Sequence, residues 1–107
     1  MKKPALPKKV ESFSASFPSV WQAFHKLALG DEGHGAGPLD DRVRRLVKVG
    51  IAVAAQSERA VHSAVRRAKA AGVSAAEIRH VIILSITTIG FPRAMAAMTW
   101  ADDTLQK

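Results

Sequence analysis

Cysteine is absent from this chain of 107 residues. Its absence excludes disulfides, thiolate metal sites and any peroxidase cycle run by the chain's own thiols. It is neutral about compartment, because a protein without thiols is indifferent to redox poise. Aromatic residues are scarce too, at 6% with no tyrosine, while alanine is abundant, a balance suited to closely packed helices. No stretch reaches about 18 uncharged apolar residues, so neither a membrane span nor a membrane partner is expected. The start, Met1 to Lys9, carries charges with no apolar stretch behind them, so it does not read as a secretory signal. A cytoplasmic protein is the default expectation. Acids are the minority charge, nine against sixteen lysines and arginines, for a net charge of +7.

That excess of cations raises the question of nucleic acid. Lys2, Lys3, Lys8 and Lys9 lie in a proline-punctuated tail, and most of the others are spread over four helical segments. They are not interleaved with aromatics in any recognisable nucleic-acid motif. Solvated helix faces or a small anionic organic partner fit the pattern better, and nucleic acid is not expected.

The length suits one domain, since domains typically hold roughly 100–200 residues. Residues 1–15, basic and marked by Pro4 and Pro7, read as a flexible arm, and residues 16–107 as a single helical domain. Phe17, Val20, Trp21, Phe24 and Leu27 follow helical spacing, with Pro18 suited to a first turn. Gly30, Gly33, Gly35, Gly37 and Pro38 end that helix in a connector. A phosphate-cradling loop would need a preceding strand and a following Gly-Lys-Ser/Thr, and neither is present.

Asp40 or Asp41 can cap the next helix, whose inner stripe is expected at Val43, Leu46, Val47, Gly50, Ile51 and Ala54. From Val49 to Ala55 it is apolar almost all round, which predicts burial on every side. Ser57 can cap a third helix that stops at Gly72. Ser74 to Glu77 form a capping box for a fourth, rich in isoleucine and closed by Gly90, and Pro92 opens a fifth that ends near Trp100. No segment alternates with period two. The reading is all-α, a small bundle of about five helices.

Chemistry would sit on the third helix. Ser57, Ala60 and Ala64 share a stripe with Val61, Val65 and Ala68, the expected inner face. Ser57 has no base beside it on its own helix, and a capping role would occupy its hydroxyl. His62 stands about 100° round the helix from Val61, at the edge of that face. There a histidine that titrates near pH 6.5 can shuttle protons. Glu58 shares the edge at i, i+4, which permits a carboxylate–imidazole hydrogen bond. Glu58, His62 and Ser57 are the candidate catalytic residues; the plainer reading of the pair is an ordinary helix-surface contact. Arg93, in the first turn of the fifth helix, could join the helix amides in holding a substrate carboxylate. His80 falls on an outer face, and His25 and His34 look incidental. No spacing of histidines and acids suggests a metal, and no cofactor is expected.

Four segments together resemble the carboxymuconolactone decarboxylase and alkyl hydroperoxidase D-like superfamily. They are Pro38-Leu-Asp-Asp-Arg42, Gly50-Ile-Ala-Val-Ala-Ala-Gln56, Ala71 to His80 and Thr87-Thr-Ile-Gly-Phe-Pro92. Many members carry a helix-borne E-x-x-C-x-x-C-x-x-x-H motif. Its glutamate position falls here on Ala54, its cysteines on Ser57 and Ala60, and its histidine on Ala64. The resemblance implies an alkyl hydroperoxidase D-like helical bundle that assembles as a homo-oligomer, often a hexamer. It implies either a lyase that removes a carboxylate from a small lactone or aromatic-derived acid, or a non-catalytic, ligand-binding member that has lost the redox motif. The hydroperoxidase mechanism is excluded with the cysteines.

Overall fold

A computed structural model of the chain describes residues 7–29 and 35–106. Lys2, Lys3, Gly30, Gly33 and His34 lie outside the described residues. The described residues form six helices and no strand, divided between two compact units, residues 1–38 and 39–107.

The first unit holds α1 (Lys8–Ser16) and α2 (Pro18–Leu29), which pack on each other. The segment expected as an arm, residues 1–15, thus holds all but the last residue of a nine-residue helix. Pro7 precedes it, where a missing N–H costs nothing, and Val10, Phe13 and Phe17 recur on one side of it. Gly35 to Pro38 form turns and bends.

The second unit is a four-helix bundle of α3 (Asp41–Ala54), α4 (Glu58–Ala70), α5 (Ala75–Ile89) and α6 (Phe91–Leu105). Each start is written locally. Asp40 accepts from the Val43 amide at 2.9 Å, Ser57 from Ala60 at 3.2 Å, and Ser74 from Glu77 at 3.1 Å with the full capping box closed. α4 ends in a Schellman turn: Val73 N–H reaches the Ala68 carbonyl and Gly72 N–H that of Lys69, both at 3.0 Å, with Gly72 at φ 87°. α5 and α6 are separated by Gly90 alone, at φ 92° and ψ 154°, a region essentially reserved for glycine.

α3 packs against α4 and α5, and α6 against α4 and α5, so the four helices form a ring. Polar pairs give the directions. Arg42 and Glu77 join the first turns of α3 and α5, which therefore run parallel. Arg79 near the start of α5 meets Asp102 near the end of α6, so those two are antiparallel. Inside the ring lie Val49, Ala52 and Val53 of α3, Val61, Val65 and Ala68 of α4, Ile78 and Ile82 of α5, and Ala94, Ala97 and Ala101 of α6. The alanine stripe at i, i+3, i+7 lets α6 approach its neighbours closely.

The inner face of α4 matches expectation, but that of α3 does not. Val49, Ala52 and Val53 are buried, while Val43, Val47, Ile51 and Ala54 are exposed, Ile51 by 59%. On a helix apolar all round, two stripes compete for the core, and periodicity cannot choose between them. The expected burial on every side from Val49 to Ala55 thus fails, and on α5 Ile83 and Leu84 are exposed as well. No helix among the described residues is long and apolar enough to cross a membrane.

Candidate functional site

The site is organised around the start of α4. Just before it, Gln56 adopts φ 54°, the left-handed region that non-glycine residues rarely enter. Two hydrogen bonds from its Nε2 hold it there, to the carbonyls of Val53 and Arg93, each 3.0 Å. The turn between α3 and α4 is thus tied to the first turn of α6. The next residue, Ser57, is half-buried, and its oxygen is engaged by the Ala60 amide. The expected capping role holds, and it leaves the hydroxyl poorly placed as a nucleophile. Ala60 and Ala64 follow on the same stripe, half-buried, and Ala54 is exposed at the end of α3. The seam where thiols and an imidazole could have met is lined by methyl groups.

His62 stands at the edge of this seam, as its position on the wheel predicts, with about a quarter of its side chain exposed. Its partner is not Glu58, however. Nε2 lies 3.1 Å from Oδ2 of Asp103, on α6. Glu58 is exposed in the first turn of α4, where a carboxylate complements the helix dipole. The local i, i+4 option loses to a tertiary one because α4 and α6 pack side by side and bring Asp103 across from His62.

A second pair lies beside the first. Arg79 donates from Nε and Nη2 to Oδ1 of Asp102, at 3.1 and 3.0 Å. Asp102 and Asp103 thus share the last turn of α6 and each meets a basic side chain from a different helix. Sequence reasoning missed both aspartates, although a signal existed. Two adjacent acids at the negative end of a helix are unfavourable unless cations from elsewhere face them.

Arg93 does not join His62. It is exposed at the start of α6, and Asp103 lies ten residues further along, ~15 Å at ~1.5 Å of rise per residue. Within one chain the candidate carboxylate anchor and the candidate proton carrier therefore sit near opposite ends of one helix. His80 is exposed on α5. No group of three or more histidines and acids among the described residues could hold a metal ion.

Among the described residues, the carboxyl of Glu77 is the one that departs clearly from its ordinary value. It is held below that value, chiefly by the Ser74 backbone amide and then the Ser74 hydroxyl. Partial desolvation opposes these, and the Arg42 guanidinium adds to the lowering. Arg42 reaches both carboxylate oxygens, with Nη1 2.6 Å from Oε2 and Nη2 on Oε1. This is a structural clasp between α3 and α5 rather than a reactive group.

A family model described as the carboxymuconolactone decarboxylase family matches residues 16–103. A search of curated proteins finds no match.

Proposed function

Because the chain belongs to the carboxymuconolactone decarboxylase family, we propose that it is a cofactor-free lyase acting on a small anionic lactone or aromatic-derived acid. The observation that carries this reading is the His62–Asp103 pair at 3.1 Å beside the inner seam of α4. Loss of CO2 from such an acid breaks the bond between the ring carbon and the carboxylate carbon. The electron pair stays on the ring carbon, conjugated with the lactone carbonyl, and one proton must then be delivered to that carbon. His62 is the proton carrier in this reading. Asp103 orients the ring through Nε2, which leaves Nδ1 to hand over the proton. Arg93 is the carboxylate anchor. Its ~15 Å of helix rise from Asp103 is too far to serve the same pocket in one chain, so a second copy supplies it.

Assembly as a homo-oligomer, a hexamer on the family pattern, follows from the same reading. Val43, Val47 and Ile51 form a row at i, i+4 spacing along α3, with Leu39 just before its cap, each 40–59% exposed, and Ile83 and Leu84 are exposed on the neighbouring α5. Soluble monomers rarely leave aliphatic rows of this length in water.

A second reading is favoured by Ser57, whose hydroxyl is spent on a cap, and by the methyl groups at the other motif positions. On that reading the chain binds an anionic organic ligand without turning it over. Turnover of muconolactone acids, followed by ultraviolet absorbance, separates the two. Lyase function predicts that His62→Ala lowers kcat by roughly 10²- to 10⁴-fold. It also predicts that Asp103→Asn lowers kcat less, by loosening the orientation of the ring. A protein that is thermally stabilised by such acids but turns none over supports the binding reading; neither effect refutes both.

A further inference from the structure

Outside the candidate site, the most unusual surface is on the first unit, and its reading is independent of the lyase proposal. Four of the chain's six aromatic residues, Phe13, Phe17, Trp21 and Phe24, fall within twelve consecutive residues of α1 and α2. Phe13 and Phe17 stack at 5.3 Å, and Trp21 and Phe24 at 5.7 Å. Yet no residue with a described side chain in this unit is buried, and Phe13, Phe17, Val20, Phe24 and Leu27 are 42–62% exposed. Between the helices runs an open groove of about 390 Å³ lined by Val10, Phe13, Val20, Trp21 and Phe24, with Lys9 at its edge. Two short helices with no buried side chain cannot hold themselves together in water, so this face needs a covering.

The chemistry of the unit indicates which one. Every cation in residues 1–38 is a lysine (Lys2, Lys3, Lys8, Lys9 and Lys26), whereas arginine predominates in the second unit. Lys26 and Gln22 lie opposite the Val20–Trp21–Phe24–Leu27 face of α2, and Lys9 flanks the Phe13 side of α1. Aromatic residues on one face, lysines on the other and along the margin, and helices too short to span describe a segment that lies in a bilayer interface. Residues 1–38 carry five lysines against Glu11, Asp31 and Glu32, an excess of positive charge that an anionic leaflet complements. The family match begins at residue 16, so it takes in α2 and leaves nearly all of α1, with its two lysines, outside it.

We propose that α1 and α2 form a peripheral docking surface for an anionic lipid bilayer, with Phe13, Phe17, Trp21 and Phe24 in the interface and the lysines on the headgroups. No membrane partner is expected from the sequence; association of this kind, from one side and without a span, departs from that expectation.

The test uses the full chain carrying Trp100→Phe, so that Trp21 is the only indole. Vesicles of phosphatidylglycerol mixed with phosphatidylcholine should co-sediment it and shift Trp21 emission to the blue, whereas pure phosphatidylcholine vesicles should bind far less. Lys8→Gln with Lys9→Gln should weaken binding to the anionic vesicles roughly ten- to thirtyfold, and raised salt should do the same. Phe13→Ser with Phe24→Ser should abolish the emission shift, while the circular dichroism melt of the bundle stays in place. Absent or equal binding to the two vesicle types overturns the proposal. So does a blue shift already present without lipid that tracks oligomer formation, which would make a second copy the covering. A shift produced by monomeric laurate but not by vesicles also overturns it, in favour of a single-amphiphile groove.

Discussion

Glu77 shows how one side chain can serve two levels of structure. Its Oε1 accepts from the Ser74 amide at 3.0 Å and the Ser74 hydroxyl at 2.9 Å, closing the cap of α5, while both oxygens meet Arg42 of α3. These contacts hold the ionised form and lower its pKa in the folded state. The stability it contributes is therefore complete above the unfolded value, about 4.3, and is lost as pH falls through the lower folded value. Glu77→Gln should lower the melting temperature at pH 7, and the gap to the unmodified protein should close in acid below about pH 4. Urea melts at several pH values would measure it; a gap constant down to pH 2 would assign the effect to packing. At this same scale His62 and Asp103 define the candidate chemistry. His62 was legible as an edge residue from its place on the helix, but its partner was not. The two are 41 positions apart, and only the packing of α4 on α6 brings them together.

At the scale of elements, starts and stops were the most readable part of the chain. Asp40, Ser57 and the Ser74–Glu77 box each cap the helix expected of them, because capping depends on a side chain and the amides within three residues of it. Gly90 is the sharpest stop. Its φ of 92° and ψ of 154° allow α5 to end and α6 to begin at adjacent residues. Gly90→Ala should destabilise the bundle by about 1–3 kcal/mol, since any Cβ is strained there. The nearest atom to such a Cβ is Cδ of Pro92 at 4.0 Å, so the cost is conformational rather than a clash. An unchanged denaturation midpoint would contradict that view. α1 was missed because lysines, serines and Pro7 obscure a short apolar row, Val10, Phe13 and Phe17, that becomes visible only beside α2.

The whole molecule raises the question of what covers its apolar surfaces. The α3 row from Val43 to Ile51 and the exposed Ile83 and Leu84 of α5 belong to two parallel neighbours, which meet where Gly50 faces Val81. If a homo-oligomer buries these residues, Val47→Asp with Ile51→Asp should dissociate it, as light scattering after size exclusion would report. The expected outcome is a smaller particle with helical content retained, because neither residue belongs to the buried core. An unchanged particle mass would remove this face from any interface.

The helices of the second unit, their N-terminal caps and the exclusion of thiol chemistry were determined by the linear chain alone, because each depends on residue type or on neighbours within a turn. The choice of inward stripe on α3, the aspartate that holds His62 and the distance of Arg93 from it were decided only by the tertiary arrangement. Each of these is a competition among several chemically equivalent options, and it is settled by which helix packs alongside.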